Sequence, residues 1–286
     1  MKNLTNGKKM KTTSIGIIGY GFVGKAVNQI ESVCKTNIYD PYNALYNTLE
    51  HKEKAYSSNV VFINVPTDPK NGGLDISIVE RCMEDYLDVL CPVCSLPDSV
   101  LVIKSTIPVG TCAYLSEKYK LDNIVFNPEF LSQRTAMEDF VRQTELYLAG
   151  SSVNTQIIKE LYEVFFTHVV NDKVEIFESE TWEEIELLKL ARNTFYGIKV
   201  SYCNHLYNLC EKRNINYEDF RQHFARGEWV GAQHTVVPGP DKKFGYGGKC
   251  LPKDSAELLN FFKKEDIIFE MLEKSIGFND LQRSKK

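Results

Sequence analysis

The sequence predicts an α/β protein in which a doubly wound parallel sheet is followed by an all-helical lobe. Short apolar segments alternate with helical patterns over the first part of the chain, which is typical of parallel sheets. From Thr181 to Arg213, apolar positions instead recur at helical spacing without a proline. We therefore expect one domain over residues 12–178 and a helical domain over residues 179–286.

The composition is that of a globular protein long enough to build two cores. The chain has 286 residues, of which 43% are hydrophobic and 25% are charged. Its formal net charge is −4 and its basic residues are scattered, which argues against nucleic-acid binding. No apolar segment is long enough to span a bilayer, and residues 1–13 read as a polar tail rather than a secretory signal.

The eight cysteines follow no compact disulfide pattern. Scattered thiols in a chain of this length are typical of a reducing compartment, so we expect a cytoplasmic protein. Cys91 and Cys94 form a C-x-x-C pair, which could hold zinc or carry redox chemistry. Because no second close Cys/His pair follows at ligand spacing, we favour two small residues at the edge of a loop and expect no metal.

The segment "SIGIIGYGFVGKAVNQI", residues 14–30, combines an apolar strand, a glycine turn and a helical pattern. Gly19, Gly21 and Gly24 form G-x-G-x-x-G directly between the strand and the helix. In a Rossmann-type domain, the first glycine makes the turn, the second admits a pyrophosphate, and the third lets the helix pack on the strand. The pyrophosphate then lies on the N–H groups of that helix. A tight strand–helix turn without a ligand is the alternative.

An acidic residue at the expected distance favours the dinucleotide reading. The segment "TNIYD" reads as a second strand that ends in Asp40, about twenty residues beyond the first glycine. A carboxylate at this place bonds the hydroxyls of the adenosine ribose and repels a 2′-phosphate. We therefore expect NAD rather than NADP.

Three further apolar segments end in polar residues, at Pro66–Thr67, Ser105–Thr106 and Asn127–Glu129. Ligands of an open parallel sheet bind beyond the carboxyl ends of its strands. Each residue could instead cap a helix or terminate a strand. Their shared position nevertheless predicts that they surround one crevice.

The segment "FGYGGKCLPKD", residues 244–254, places a cysteine between a glycine cluster and a predicted helix. The glycines allow a ligand or a second backbone to approach closely, and Pro252 suits the first turn of a helix. Cys250 then precedes a helix N-terminus, where the dipole favours a thiolate. Asp254 follows four residues later and can face back toward the sulfur. This pattern predicts a nucleophile with a nearby base.

Lys189 and Asn193 are four residues apart on the long predicted helix and share one face. A solvated lysine beside an amide is the commoner arrangement at this spacing. A partly desolvated lysine beside an amide would instead stabilise a developing oxyanion. A helix of this length usually packs along another subunit or links two lobes.

Six segments taken in order, "GYGFVG", "VPT", "KSTIPVGT", "NPEFL", "EIELLKLARNTF" and "FGYGGKCLPKD", resemble the UDP-glucose/GDP-mannose dehydrogenase family. The resemblance extends from about residue 14 to residue 262. It implies a two-step oxidation of the primary alcohol of a nucleotide sugar to a carboxylate, with two NAD reduced, and a homodimer built on the long helix. UDP-glucose is the first choice of substrate, and GDP-mannose or a UDP-N-acetylhexosamine is the alternative.

The resemblance also implies roles for individual residues. Cys250 matches the nucleophile that forms a thiohemiacetal and then a thioester, and Asp254 matches the acid that helps to activate water. Lys189 and Asn193 match the pair that stabilises the oxyanion. Thr106 matches the position that binds catalytic water. The positions that match substrate-binding residues are Glu129, Lys189, Asn193, Gly239, Lys243, Phe244 and Gly247. The positions that match cofactor-binding residues are Gly19, Gly21, Phe22, Val23, Gly24, Asp40, Thr67, Thr106 and Lys253.

The sequence departs from the family pattern in three ways. Gln133 stands where the family has a glutamate, and His234 falls about where a neighbouring subunit's arginine would contact substrate. Typical members also continue into a second Rossmann-like domain beyond the residues present here. We therefore expect weaker substrate binding or a need for a partner, with a non-catalytic cofactor-binding protein as the alternative. The joint presence of a nucleophile, a base and oxyanion donors favours catalysis.

Overall fold

The computed structural model describes residues 14–70, 72–90, 99–170 and 173–284, which form two compact units. The sheet unit comprises the described residues up to Thr67 and Ile76–Glu186, and the helical unit comprises Asp68–Asp75 and the residues from Leu187 onward. The predicted domain boundary at residue 178 stays a prediction, since the division between compact units lies inside the long helix. The polar tail and the Cys91–Cys94 pair lie outside the described residues.

The sheet unit is built on a mostly parallel sheet, so the predicted α/β class is confirmed. Within the described residues its seven strands are arranged in the order β2-β1-β3-β6-β7-β8-β9, and β7 and β8 alone pair antiparallel. The strands of the chain are β1 Ser14–Ile18, β2 Lys35–Tyr39, β3 Val60–Ile63, β4 Pro69–Lys70, β5 Gly73–Leu74, β6 Val100–Ile103, β7 Ile124–Phe126, β8 Glu145–Ala149 and β9 Glu175–Ser179.

The central strands are apolar throughout because helices cover the sheet. Every residue of β3, β6 and β7 is buried, as expected for strands whose two faces both lie in the core. Aromatic rings fill one side of this core, with Phe140 near both Tyr162 and Phe165. The helices of this unit are α1 Phe22–Val27, α2 Leu49–Tyr56, α3 Ser77–Leu90, α4 Thr111–Tyr119, α5 Ala136–Arg142 and α6 Ser152–Phe165.

The order of the strands creates a crevice at one place. Strand β2 lies on one side of β1 and β3 lies on the other, so the chain leaves the carboxyl ends of β1 and β3 in opposite directions. Ligands of doubly wound sheets bind at such a switch point. The glycine turn that follows β1 lies there.

The helical unit consists of four helices and a short ribbon within the described residues. Its helices are α7 Trp182–Lys212, whose first turn belongs to the sheet unit, α8 Tyr217–Phe224, α9 Leu251–Lys264 and α10 Glu270–Ser284. The predicted long helix is therefore confirmed to within one residue at each end. The ribbon pairs β4 with β5, so the lobe predicted as all-helical also contains this small antiparallel element.

The buried face of α7 is largely polar. Lys189, Asn193, Ser201 and Asn204 follow one another at intervals of three, four or eight residues and are all buried. Large apolar residues of the same helix, including Phe195 and Tyr202, are exposed. Helical spacing thus predicted the helix correctly, whereas polar residues share its inward face with apolar ones such as Leu190.

Candidate active site

Each of the three glycines in the turn after β1 is required for a different steric reason. Gly19 adopts φ +84°, a conformation that side chains disfavour. A Cβ on Gly24 would lie 2.1 Å from the carbonyl oxygen of Gly19, so the helix can approach the strand only without it. A Cβ on Gly21 would meet no other described atom within 4 Å. The space beside Gly21 is the kind of open approach that a pyrophosphate requires.

The start of α1 offers backbone donors to such a ligand. Gly21 is the N-cap, and no side chain among the described residues caps the helix there. Phe22 and Val23 form its first turn, whose N–H groups lack intrahelical acceptors. These residues fit the pyrophosphate of NAD.

Asp40 connects the end of β2 to the glycine turn. Its Oδ2 accepts a hydrogen bond from Tyr20 N at 2.8 Å, and its Oδ1 accepts one from Tyr42 N at 2.9 Å. Each carboxylate oxygen has a second lone pair, so both can still accept from ribose hydroxyls. The position of Asp40 therefore fits its predicted cofactor role and also explains why the turn is well defined.

Two of the three predicted strand ends meet through hydrogen bonds. Thr67 Oγ1 donates to Thr106 O at 2.6 Å, and Ser105 Oγ donates to Val65 O at 2.7 Å. These residues lie at the carboxyl ends of the neighbouring strands β3 and β6. The structure thus brings Thr67 and Thr106 together as expected for one crevice.

Asn127 does not behave as a crevice residue. Its Oδ1 accepts from Lys104 Nζ at 2.8 Å and from Tyr162 Oη at 2.7 Å, while its Nδ2 donates to Tyr147 O at 2.9 Å. This amide is 0% exposed and bonds three groups of the core, which overturns its expected place beside a ligand. Glu129 is buried, and its Oε2 accepts from Leu131 N at 2.6 Å.

Cys250 lies at the start of α9, as the sequence predicted. It is the N-cap residue, Pro252 lies in the first turn, and Asp254 N donates to Cys250 O at 3.0 Å. The cysteine itself is half-buried. A thiol at this place is exposed to the positive end of the helix dipole.

A buried polar cluster lies one turn beyond Cys250. The Asp254 side chain is 0% exposed and accepts from Asn193 Nδ2 at 2.5 Å and from Lys253 Nζ at 2.7 Å. Lys189 is only 2% exposed, so the alternative of a solvated lysine is wrong. The helical unit therefore brings together a lysine, an amide and a carboxylate, in Lys253, Asn193 and Asp254, and these are residue types that stabilise and activate reacting oxygens.

Four of the residues expected at the substrate lie in or beside one loop. Gly239 N donates to Lys243 O at 2.9 Å and closes a tight turn. Phe244 packs edge-on against Tyr207 at 5.3 Å and lies, partly buried, against a hydrophobic cluster. Gly247 lies under the guanidinium group of Arg283.

Two of the three departures from the family pattern, Gln133 and His234, lie in different units. Gln133 is exposed in the sheet unit. In the helical unit, His234 adopts φ +63° and stacks on Tyr196, with a centroid distance of 4.5 Å. Partial desolvation of the ring, with repulsion from Lys199, lowers the pKa of His234 below its usual value. A neutral stacked imidazole is therefore favoured here.

Sequence reasoning missed a buried carboxylate within the sheet unit, at the start of the long helix. Buried Glu186 accepts from Gly110 N at 2.6 Å and from Cys112 N at 2.8 Å at the start of α4. Burial raises the pKa of Glu186, and the two N–H groups partly offset this effect. Its position three residues before Lys189, on the same helical face, was the available signal.

Two kinds of feature are absent from the described residues. They contain no group of three or more His, Cys, Asp or Glu side chains that could hold a metal ion. No helix among them is long and apolar enough to cross a membrane.

The fold and the glycine turn together define a dinucleotide-binding domain of the Rossmann type. Two family models make this assignment specific. The UDP-glucose/GDP-mannose dehydrogenase family NAD binding domain matches residues 28–166, and the central domain of the same family matches residues 183–281. The chain therefore belongs to the UDP-glucose/GDP-mannose dehydrogenase family and contains its NAD-binding domain.

Relatives of known name support this assignment. Over 246 residues, the chain is 27% identical to the UDP-glucose 6-dehydrogenase of Campylobacter jejuni. The aligned residues make up 83% of this chain and 59% of that protein. Over 229 residues, it is 31% identical to the UDP-glucose 6-dehydrogenase of Rickettsia typhi. The aligned residues make up 78% of this chain and 50% of that protein. The chain thus spans about half the length of the curated relatives it matches.

Solved structures share the fold at low sequence identity. A UDP-glucose dehydrogenase from Pyrobaculum islandicum has a TM-score of 0.81 and 20% identity, covering 97% of this chain and 70% of that chain. A 3-hydroxyisobutyrate dehydrogenase from Mycobacterium tuberculosis has a TM-score of 0.73 and 15% identity, covering 96% and 94% of the two chains. Dehydrogenases named for different substrates therefore share this fold, so the fold alone does not determine the substrate.

Proposed function

We propose that the chain oxidises the C6 primary alcohol of a nucleotide sugar to a carboxylate, with UDP-glucose as substrate and two NAD reduced per sugar. The observation that carries this proposal is the buried cluster at the start of α9, where Asn193 and Lys253 bond Asp254 one turn beyond Cys250. A protein that only binds a cofactor needs no such cluster. The names of the relatives add support for the substrate.

The sheet unit would hold the cofactor. The turn of Gly19, Gly21 and Gly24 would receive the pyrophosphate, and Asp40 would bond the adenosine ribose. Bound NAD accepts a hydride in each oxidation step. Lys253, assigned to the cofactor by resemblance, has its ammonium group paired with Asp254.

Cys250 would retain the intermediate between the two oxidations. Its thiolate attacks the aldehyde carbon, so that a C–S bond forms, the carbonyl π bond breaks and the oxygen takes a proton. Loss of a hydride and of the hydroxyl proton from this thiohemiacetal leaves a thioester. Because the sulfur stays bonded to carbon, the aldehyde is not released before the second oxidation.

The buried cluster would serve hydrolysis of the thioester. Asp254 takes a proton from a water molecule while the oxygen of that water attacks the thioester carbon. Lys189 and Asn193 stabilise the resulting oxyanion. Asn193 has two amide N–H donors, so one is still available when the other bonds Asp254. The C–S bond then breaks and the thiolate is restored. The proposal further assigns water binding to Thr106 and substrate binding to Glu129.

Product stoichiometry tests the proposal. The chain is incubated with NAD and a limiting amount of UDP-glucose, and NADH and the sugar product are measured together. Two NADH per sugar with UDP-glucuronate is the expected result, whereas one NADH would indicate an alcohol/aldehyde enzyme. Turnover with GDP-mannose or a UDP-N-acetylhexosamine, but not with UDP-glucose, would assign that sugar nucleotide as the substrate instead. No turnover with any of them would favour a cofactor-binding protein.

We also propose a homodimer built on α7. Phe195, Tyr202 and Leu209 lie seven residues apart and are 61%, 54% and 55% exposed, so they form one apolar stripe along the helix. Such a stripe on a long helix is suited to a second copy of the same helix. We expect Tyr202→Glu to yield a monomer in analytical ultracentrifugation. Val153→Glu, at an exposed apolar position of the sheet unit, is the control and should leave the dimer intact.

A further inference from the structure

The loop before Cys250 is fastened to α10, which begins twenty residues beyond that cysteine. Arg283 Nη2 donates to Gly245 O at 2.9 Å, and Arg283 Nη1 pairs with the carboxylate of Asp241. One planar guanidinium group thus holds two points of the loop that are four residues apart. A lysine cannot reproduce this two-pronged geometry, because its ammonium is a single point charge.

The same guanidinium group covers Gly247. A Cβ built on Gly247 would lie 2.8–3.0 Å from three atoms of the Arg283 guanidinium. The absence of a side chain at Gly247 therefore allows Arg283 to lie against the backbone of the loop. This is a steric reason for glycine at this position that requires no ligand.

Two buried asparagines fix the next part of the loop. Asn279, on α10, accepts from Tyr246 N at 2.6 Å, and Asn204, on α7, accepts from Gly245 N at 3.0 Å. Both asparagines are buried, whereas the Arg283 side chain remains 21% exposed. The asparagines therefore form the interior of the helical unit, and Arg283 is the surface fastening.

We propose that Arg283 is a positioning residue that holds loop 241–248, and through it the Cys250 thiol and the nucleotide-sugar site, in the reactive geometry. The predicted effect on substrate binding rests on the proposed function. The predicted effect on the loop does not, because it follows from the contacts of Arg283 with Asp241, Gly245 and Gly247. Only two residues separate Gly247 from Cys250 along the chain, so displacement of the loop changes the start of α9 directly.

The test compares Arg283→Gln and Arg283→Lys with Arg142→Gln. Arg142 is a matched control, because it is an exposed arginine of the sheet unit paired with Glu138 at 3.9 Å. With Arg283→Gln we expect the KM for UDP-glucose to rise about tenfold, the change produced by loss of roughly one charge-assisted hydrogen bond, while the KM for NAD stays within about twofold. Arg283→Lys should give an intermediate KM, and Arg142→Gln should leave both constants unchanged.

Amide hydrogen exchange measures the loop without turnover. In Arg283→Gln, exchange at Gly245 and Tyr246 should become about tenfold faster, because loosening of the loop breaks the bonds to the two asparagines. Alkylation of Cys250 by iodoacetamide should change in rate in the same variant. These two measurements retain their meaning if the wild-type chain oxidises no nucleotide sugar, so failure of the proposed function is distinguished from failure of this proposal.

Two results would overturn the proposal. The first is exchange and alkylation at wild-type rates in Arg283→Gln. The second is an equal rise in both KM values with a lower unfolding midpoint, which would mean that Arg283 only stabilises the fold. If Arg283→Gln does not fold, the same readouts on Arg283→Lys decide between the two interpretations. Asp241→Asn should cause a smaller KM change than Arg283→Gln, since the bond to Gly245 O is retained.

Discussion

The interiors of the two units are built by different chemistry. The sheet unit buries apolar residues such as Phe62, Val102 and Val125 in one continuous core. The helical unit has a smaller apolar cluster around Tyr217, and it also buries Lys189 and Asp254. Apolar burial is non-directional and scales with area, whereas a buried polar group must find its partner. The comparison shows that apolar pattern and volume specify most of the sheet unit, while individual hydrogen bonds specify the polar cluster of the helical unit.

The largest expected effect is loss of the thiol chemistry from the helical unit. Cys250→Ser should abolish formation of the carboxylate product, because a serine hydroxyl at this position is a far weaker nucleophile than a thiolate. The Kd for NAD, measured by calorimetry, should stay within about threefold of wild type, since the residues proposed for the pyrophosphate and the adenosine ribose lie in the sheet unit. Cys34→Ser, at another half-buried cysteine, is the control. Loss of NAD binding in Cys250→Ser would contradict the assignment.

The next effect compares the stability lost by opening a cavity in the sheet core with the stability lost by removing one buried hydrogen bond. Phe62→Ala should lower the free energy of unfolding by roughly 3–5 kcal/mol, because it opens a cavity in the sheet core. Asn193→Ala removes less volume and should cost about 1–3 kcal/mol, because the buried Asp254 loses a donor. Urea titration measures both values. A larger loss for Asn193→Ala than for Phe62→Ala would reverse the proposed ranking of the two interiors.

The glycine turn offers a matched pair of substitutions. Gly24→Ala should lower the unfolding midpoint, because its Cβ would collide with the Gly19 carbonyl. Gly21→Ala should leave the midpoint unchanged, because that Cβ meets no described atom within 4 Å and φ is −74°. The same change should weaken NAD binding by about tenfold or more, since the Cβ occupies the approach of the pyrophosphate. Unchanged NAD affinity in Gly21→Ala would place the cofactor elsewhere.

The smallest effect concerns the surface of the helical unit. Hydrogen bonds from Arg221, then Gln222, lower the pKa of Glu218 to about 2. A carboxyl whose pKa is lowered by folding stabilises the protein above its unfolded pKa of 4.5, and this contribution is lost as the pH falls through about 2. Glu218→Gln should therefore flatten the pH dependence of stability slightly between these values. Because the pair is exposed, we expect only a small change in the acid unfolding midpoint.

Much of the site was accessible from the sequence because its signals are local. The glycine turn, Asp40 and the start of α9 at Cys250 each depend on residues close together in the chain. The burial of Lys189 was not accessible, because spacing along a helix does not show which face is covered. Asn127 was misread for the same reason, since its partners Tyr147 and Tyr162 come from later elements.

The sequence by itself determined the alternation of strands and helices, the dinucleotide turn and the long helix, since these follow from periodicity and from the conformational limits of glycine and proline. Only the tertiary structure decided which polar side chains became partners. Asn193 and Asp254 are 61 residues apart, and Gly245 and Arg283 are 38 apart. Hydrogen bonds act over about 3 Å, so such pairs exist only after the helices that carry them have packed.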